Sequence, residues 1–424
     1  MESHPDSERL SVGVHILTLG CKVNQCDADE MAQSLAAHGY RIVGRDDHAD
    51  VYLVNTCAVT ATAESKARKL IRKLARAHPA ASVIVTGCWP QRDPQAVAAL
   101  PEVDAVVPNT RKPEIVHIIA NFRPTPSAEA VLPYRHRTRA FLKVQDGCDH
   151  RCTYCAVPDA RGRPVSKPRD LVLGEIADLA RAGAQEVVLC GIRLGAYGQD
   201  LGRDGLADLL HHLRETAIPR LRLSSLEPMD VDQALLDEIA DHPRLCHHLH
   251  LPLQSGDDDV LAAMGRGYET AEYGDLVTRI RAAWPDAALS TDVMVGFPGE
   301  TEAQFSRTAA RLRELAFSRA HVFPFSIRPG TLAAQTRDQV PPDIKRDRAH
   351  RLLAVAAELA QQAAQSWVGR KVSVLFEEQD DEGRLTGLTE HYLRVRGEGP
   401  AEHIGRLAEV VPERAENGEL FGKL

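Results

Sequence analysis

Three cysteines that lie close together in the chain, Cys148, Cys152 and Cys155, have the types and spacing of a metal–sulfur loop. Steps of four and three residues place their sulfurs on one tight turn. Thiolates hold iron–sulfur clusters, which normally take four ligands, so three leave one iron of a 4Fe–4S cluster open to a small chelating molecule. A zinc site completed by His150 or by a distant residue is the alternative. The spacing differs from that of paired zinc knuckles and favours the cluster.

Three further cysteines, Cys21, Cys57 and Cys88, are scattered in sequence but share a structural position. Each follows a short apolar run that predicts a strand, in LTLGCKVN, LVNTCAVT and VTGCWP. The carboxyl ends of parallel strands meet at one edge of a sheet, where ligands bind. We therefore expect these thiols to converge on a second three-ligand cluster, although they lie 36 and 31 residues apart. The alternative is three buried cysteines that act as small apolar side chains.

The remaining cysteines and a histidine-rich strand suggest structural roles. Cys190 lies within the predicted core strand EVVLCGI, Cys246 has no evident partner, and Cys26 lies near the start of a helix. In HHLHLPLQ, His248 and His250 share one face of a strand and the leucines take the other. This alternation predicts residues of a barrel interior or substrate neighbours rather than a separate metal site.

The elements that must position these residues indicate an α/β fold in several parts. Residues 1–125 alternate short apolar strands with helices, which predicts a doubly wound parallel-sheet domain. A proline-bearing linker at 126–139 leads to six strand–helix units over 140–366, which predict a partial (β/α)6 barrel closed by a helix near Ile344–Gln365. Residues 367–424 predict a small antiparallel β module that leans on the rest of the chain, because 58 residues bury little core alone.

Composition limits the class of protein. The chain has 424 residues, 44% of them hydrophobic, with a formal net charge of −8, so contact with nucleic acid requires local basic patches. A polar amino terminus and the lack of a long apolar run predict a cytoplasmic protein without a membrane segment, in which disulfides are not expected. The candidate basic patches are Lys66, Arg68, Lys69, Arg72, Lys73 and Arg76 on one helix, Arg135, Arg137 and Arg139 in the linker, and Arg151, Arg161, Arg163, Lys167 and Arg169 around the cysteine loop.

Several segments resemble one known family. CDHRCTYCAVPDARGR resembles the radical S-adenosylmethionine signature of the methylthiotransferases, and TLGCKVNQCDAD, NTCAVTATAESKARKLIRK and VTGCWPQ resemble the amino-terminal domain of that family. The tail resembles the TRAM module, a small RNA-binding β-barrel, although its eight Lys and Arg against twelve Asp and Glu are unusual for a module that docks RNA. LCGIRLGAYGQDL and HLHLPLQSGDDDVLAAMGRGY resemble the MtaB-type branch, which acts on threonylcarbamoyladenosine in tRNA.

The resemblance implies a radical mechanism. Cys148, Cys152 and Cys155 would bind the catalytic 4Fe–4S cluster, at which S-adenosylmethionine is cleaved to a radical. Cys21, Cys57 and Cys88 would bind an auxiliary 4Fe–4S cluster that carries the transferred sulfur. A methylthio group would then be inserted at C2 of the modified adenosine next to the anticodon, since an aryl C–H bond offers no acidic proton.

Partners and cofactor contacts follow from the same resemblance. The expected partners are a tRNA anticodon stem-loop and an electron donor such as a flavodoxin or ferredoxin. From their positions near the loop or predicted strand ends, we expect these residues to contact S-adenosylmethionine or the adenine: Tyr154, Gly191, Gln254, Ser255 and Phe325. Glu227 and Asp292 are either functional or members of salt bridges. The alternatives are action on isopentenyl-adenosine in tRNA, action on a ribosomal-protein aspartate, and a non-enzymatic iron–sulfur redox sensor.

Overall fold

The computed structural model describes residues 12–44, 47–123, 138–202 and 205–424. The chain forms two compact units, one of Met1–Arg135 with Asp159–Arg161 and one of His136–Pro158 with Gly162–Leu424. Across the described residues, no helix has both the length and the apolar character that crossing a bilayer requires.

A five-stranded parallel sheet forms the first unit. Its strands, in the spatial order β2-β1-β3-β4-β5, are β1 Gly13–Thr18, β2 Arg41–Ile42, β3 Val51–Thr56, β4 Ser82–Gly87 and β5 Ala105–Pro108. The helices are α1 Lys22–Ala37, α2 Ala61–Ala77, α3 Cys88–Arg92, α4 Pro94–Ala98 and α5 Ile115–Ala120.

The doubly wound architecture of this unit is confirmed. Strands β3 and β4 are buried along their whole length, and separate apolar clusters cover the two faces of the sheet. The sequence predicted three strands here, and the structure adds β2 and β5. These two are only two and four residues long and too short to form a distinct apolar run.

Six parallel strands form a partial barrel in the second unit. They make two three-stranded sheets, β10-β9-β6 and β11-β12-β13, which are linked by parallel bridges from Leu221 to Leu245 and from Ser225 to His250. The predicted partial six-stranded barrel is confirmed. The strands are β6 Arg139–Lys143, β7 Gln145–Asp146, β8 Val165–Ser166, β9 Glu186–Cys190, β10 Arg220–Leu223, β11 His248–His250, β12 Ala288–Val295 and β13 Arg319–Pro324, of which β7 and β8 form a separate pair.

Helices cover the outside of this barrel and bury one large apolar core. The final helix, α14, begins two residues before the predicted Ile344 and ends at the predicted Gln365. The helices that contribute to this core are α7 Arg169–Arg181, α8 Leu206–His212, α9 Gln233–Asp241, α10 Asp258–Met264, α11 Thr270–Ala283, α12 Glu302–Glu314 and α14 Pro342–Gln365. Two further short helices are α6 Val157–Arg161 and α13 Leu332–Gln335.

The tail folds as a closed five-stranded barrel in the order β14-β15-β16-β18-β17. Its one parallel pair, β16 with β18, departs from the all-antiparallel expectation. Phe376, Val374 and Val395 are completely buried in its small core. The strands are β14 Val372–Gln379, β15 Leu385–Thr389, β16 Arg394–Glu398, β17 Leu407–Glu416 and β18 Glu419–Lys423.

Two arginines of β10 fasten the tail to the partial barrel. Arg220 Nη2 donates to Ser373 O over 2.6 Å, and Arg222 Nη2 donates to Thr389 O over 3.0 Å. Arg222 also pairs with Glu186 over 2.8 Å, and neither side chain is exposed to solvent. The tail therefore leans on the larger domain, as its small size predicted.

Candidate metal centres

The sheet-edge cysteines, Cys21, Cys57 and Cys88, lie beyond three adjacent parallel strands. Cys21 precedes α1 after β1, Cys57 directly follows β3, and Cys88 directly follows β4. Burial, together with the nearby thiols of Cys88 and Cys21, raises the pKa of Cys57 to about 11. The structure therefore brings the three sulfurs within electrostatic range of one another. A cluster bound there would have to displace a proton from Cys57.

Glycine at position 20 permits this approach. Gly20 has φ +110°, and a Cβ atom at this position would lie 2.7 Å from Cys57 Cβ and 3.1 Å from its sulfur. Only glycine combines this backbone conformation with this clearance.

Two asparagines support the sheet-edge cysteines. Asn24 Nδ2 donates to Leu19 O over 2.8 Å and to Thr56 O over 3.0 Å, which ties α1 to the ends of two strands. The Cys88 sulfur lies 3.8 Å from Asn24 Oδ1, and Asn109 Nδ2 lies 3.6 Å from the same sulfur. Neither asparagine was singled out from the sequence, although Asn24 lies in the GCKVNQ segment that the family resemblance marked.

A buried charged group lies beside these asparagines. Asp27 is 2% exposed and accepts from Lys112 Nζ over 2.5 Å and from Arg161 Nη2 over 2.9 Å. Arg161 also donates to Asn24 Oδ1. With two cations against one carboxylate, the group favours the thiolate form of nearby cysteines, and Arg161 lowers the pKa of Cys57.

The loop cysteines, Cys148, Cys152 and Cys155, lie between β7 and α6. Cys155 N donates to Cys152 O over 3.0 Å and closes the turn, while Cys148 N donates to Gly162 O over 3.0 Å. Burial, together with the neighbouring sulfurs of the loop, raises the pKa of Cys148 to about 11 and that of Cys155 to about 12. The arrangement holds three thiols of one loop together.

Arg266 connects this loop to a carboxylate. Its Nη1 lies 3.4 Å from Cys152 Sγ, and its Nη2 donates to Glu227. Arg266 is 8% exposed, and its Nε has no hydrogen-bond partner among the described residues. Glu227, which the sequence left as functional or structural, is therefore part of a salt bridge beside the cysteine loop. Arg266 was missed, because nothing in GRGY marks its approach to Cys152.

Tyr154 and Phe325, two of the five expected cofactor contacts, lie in one apolar group next to the loop. The ring of Tyr154 packs edge-on to Phe297 at 6.4 Å between centroids, and Phe297 packs in the same way on Phe325 at 5.6 Å. Burial raises the pKa of the Tyr154 hydroxyl well above its ordinary value, so the ring stays neutral.

The other three expected cofactor contacts, Gly191, Gln254 and Ser255, follow strands but differ in the groups that they could present to a cofactor. A Cβ at Gly191 would lie 2.8 Å from Leu194 Cα, which leaves no room for a side chain. Gln254 has φ 63°, and its buried Oε1 has no partner among the described residues. The hydroxyl of Ser255 lies 3.3 Å from that of Thr308 on α12, so this side chain has a structural partner.

Several residues expected in the basic patches form salt bridges with carboxylates, so these side chains are not available for phosphate contacts. The pairs are Arg72 with Glu102, Arg139 with Glu377, Arg161 with Asp27, Lys167 with Glu175 and Arg169 with Asp208. Arg68 stacks on Trp89 at 4.4 Å. Arg135 and Arg137 lie outside the described residues. Exposed side chains remain at Lys66, Lys69, Lys73, Arg76, Arg151 and Arg163.

Comparison with known proteins gives two family matches. Residues 13–108 match the profile described as "Uncharacterized protein family UPF0004", and residues 142–312 match the Radical SAM superfamily. A solved radical S-adenosylmethionine methyltransferase, TsrM from Kitasatospora setae, has a TM-score of 0.57 at 16% identity, with 77% of each chain covered. This likeness supports the fold alone.

Relatives of known function are similar over nearly the whole chain. The threonylcarbamoyladenosine tRNA methylthiotransferase MtaB of Thermotoga maritima is 38% identical, with 90% of each chain covered. The protein of the same name from Bacillus subtilis is 35% identical, with 93% of this chain and 92% of the relative covered. The tRNA-2-methylthio-N6-dimethylallyladenosine synthase of Geobacillus thermodenitrificans is also 35% identical, with 97% and 83% covered. The chain therefore belongs to the radical S-adenosylmethionine methylthiotransferase family of enzymes.

Proposed function

We propose that this enzyme inserts a methylthio group at C2 of N6-threonylcarbamoyladenosine, next to the anticodon of tRNA. The observation that carries the proposal is the presence of two separate three-cysteine sets, the sheet-edge cysteines and the loop cysteines. A redox carrier does not require two such incompletely ligated sites, whereas a reaction that uses one cluster and supplies sulfur at another does.

The donor sets fit two 4Fe–4S clusters. Cys148, Cys152 and Cys155 hold the catalytic cluster, and the ligands of the auxiliary cluster are Cys21, Cys57 and Cys88. When bound, the first cluster supplies the electron that cleaves S-adenosylmethionine, and the second supplies the sulfur. The protein orients the ligands through Arg266 at the loop and through Asn24 and Asn109 at the sheet edge.

The side chains around the loop cysteines have supporting roles. Tyr154 and Phe325 contribute an apolar wall that excludes water. Gly191 permits the close approach of the Leu194 backbone after β9, where we place one edge of the cofactor site. Gln254 offers a buried amide oxygen as a hydrogen-bond acceptor. Ser255 would contact the cofactor through its backbone, since its hydroxyl contacts Thr308.

The partners are a tRNA anticodon stem-loop and a one-electron donor such as a flavodoxin or ferredoxin, in the cytoplasm. Cations of α2 suit phosphate contacts, because the side chains of Lys66, Lys69, Lys73 and Arg76 are exposed. The proposed domain limits are 1–125, 126–139 for the linker, 140–366 and 367–424.

A second candidate is the same transfer to isopentenyl-adenosine in tRNA. Similarity alone favours neither branch strongly, because relatives named for the two substrates are 35–38% and 35–36% identical. The two candidates differ in the N6 substituent that the site must accept.

Mass spectrometry of tRNA nucleosides tests the proposal. A strain that lacks the gene should lose the methylthio form of threonylcarbamoyladenosine and keep that of isopentenyl-adenosine. The wild-type gene should restore the mark, whereas Cys148→Ala should not. Loss of the isopentenyl form alone would favour the second candidate, and retention of both forms would contradict both.

A further inference from the structure

The interior faces of β12 and β13 carry two successive rungs of side chains. The strands pair in register, so Met294 lies opposite Phe323 and Asp292 lies opposite His321. Alternate residues of a strand share a face, which places Asp292 with Met294 and His321 with Phe323. The intervening Ala320 and Val322 pack against the main core on the other face.

Met294 and Phe323 form the rung nearer the carboxyl ends of the strands, the upper rung, which adjoins the loop cysteines. Met294 and Phe323 belong to the apolar group that contains Tyr154, the residue between Cys152 and Cys155. The lower rung of Asp292 and His321 therefore begins about 7 Å further from the mouth of the barrel, which is the length of two strand residues.

His250 completes the lower rung. Its Nε2 lies 3.3 Å from Asp292 Oδ2, and its Nδ1 lies 2.9 Å from Ser290 Oγ. One ligand atom each from His250, Asp292 and His321 lie within 4.8 Å of one another. The side chain of Asp292 is 32% exposed and His321 is also exposed, so a ligand can reach the group.

Contacts below the lower rung hold Ser290 and His248 in place. Ser290 Oγ also lies 2.8 Å from His248 Nε2, and the ring of His248 stacks on Tyr392 of the tail at 4.7 Å. On the far side of the lower rung, Arg319 pairs in register with Ser290 and presents an exposed cation on the same face as His321.

We propose that Asp292, His250 and His321 recognise the polar N6 substituent of the substrate and exclude an isopentenyl group. This inference rests on the proposed function and names its specificity-determining residues. A threonylcarbamoyl group carries urea N–H groups and a hydroxyl that donate to Asp292, and a carboxylate that accepts from an imidazole or from Arg319. An isopentenyl group is hydrocarbon and would leave these polar side chains desolvated without partners, which is unfavourable.

The test uses the full chain, reconstituted without oxygen, and two anticodon stem-loop RNAs that differ only in the N6 substituent. The measured quantity is the ratio of kcat/KM for the threonylcarbamoyl RNA to that for the isopentenyl RNA. His321→Phe should lower this ratio at least tenfold or so, mainly through a higher KM for the threonylcarbamoyl RNA. His321→Gln should keep most of it, and the matched control His350→Phe, on the exposed face of α14, should leave it unchanged.

Three other results would overturn the inference or the proposed function. An unchanged ratio in both His321→Phe and Asp292→Asn would overturn the inference, and the second variant covers a folding defect in the first. One equivalent of zinc in the wild type that is lost in His321→Phe would overturn it in favour of a metal site. A wild type that transfers methylthio groups to neither RNA would contradict the proposed function itself, before any variant is compared.

Discussion

The guanidinium of Arg266 lies 3.4 Å from Cys152 Sγ through Nη1 and is paired with Glu227 through Nη2. A cationic donor at a cluster ligand stabilises the more negative, reduced state and raises the reduction potential. We predict that Arg266→Gln lowers the potential of the catalytic cluster, by up to about 60 mV, which for one electron corresponds to ~1.4 kcal/mol.

Redox titration followed by electron paramagnetic resonance measures this potential in the reconstituted chain. Arg266→Lys keeps the charge and should show a smaller shift. Arg307→Gln serves as the control, since Arg307 pairs with Asp257 rather than with a cysteine. A potential that is the same in Arg266→Gln and the wild type would refute the role given to Arg266.

Gly20 provides a prediction for the sheet-edge cysteines. Gly20→Ala would place a Cβ 2.7 Å from Cys57 Cβ at a backbone φ of +110°, so the auxiliary site should lose its geometry. The iron content should fall by about half, because one of two 4Fe–4S clusters is lost. Gly183→Ala is the matched control, since Gly183 has φ +85° but no atom lies within 4 Å of the position that a methyl group would take there. Equal iron in both variants would argue against the proposed site.

The buried pair of Glu186 and Arg222 provides a prediction for stability. Burial alone would raise the pKa of Glu186, but Arg222, with smaller contributions from Arg139 and Arg220, more than reverses this effect. The pKa is therefore lowered and the carboxylate stays charged. Glu186→Gln leaves Arg222 buried without its counter-ion, at an expected cost of about 3–5 kcal/mol. Thermal unfolding should show a clearly lower Tm for Glu186→Gln. The double variant Glu186→Leu with Arg222→Met should recover part of the loss, and a Tm unchanged by Glu186→Gln would exclude a structural role for the pair.

His391 makes the stability of the chain depend on pH. Burial lowers its pKa to about 3, with His247, Arg370, Arg222 and Arg220 adding repulsion. Since an unfolded histidine has a pKa of about 6.5, the unfolded state binds the proton more readily. The contribution of the neutral His391 ring to the free energy of unfolding is fully present above about pH 6.5. It is lost as the pH falls toward 3, at up to ~1.4 kcal/mol per pH unit.

Melting curves between pH 7 and pH 5 check this dependence. The Tm of the wild type should fall across this range, and His391→Leu should flatten the fall, because neither ring nitrogen has a hydrogen-bond partner among the described residues. An identical pH slope in His391→Leu would show that other groups control the acid response.

The sequence predicted the features that local patterns encode. Cysteines at the ends of apolar runs indicated the sheet edge, and the alternation in HHLHLPLQ placed His248 and His250 on one face. Contacts between distant residues were not predictable, since Arg161 and Asp27 lie 134 positions apart and Arg266 and Cys152 lie 114 apart. For the same reason, the basic patches seemed available for RNA in the sequence, although five of their residues pair with carboxylates.

Iron analysis of three forms of the chain tests the central claim, that each cysteine set holds its own 4Fe–4S cluster. We predict about eight iron atoms per wild-type chain and about four when either the loop cysteines or the sheet-edge cysteines are all replaced by alanine. Mössbauer spectra should show a 4Fe–4S cluster remaining in each variant, and Cys190→Ala, in a core strand, should retain about eight iron atoms. A wild type with about four, or a variant of one set that loses all its iron, would contradict two independent clusters.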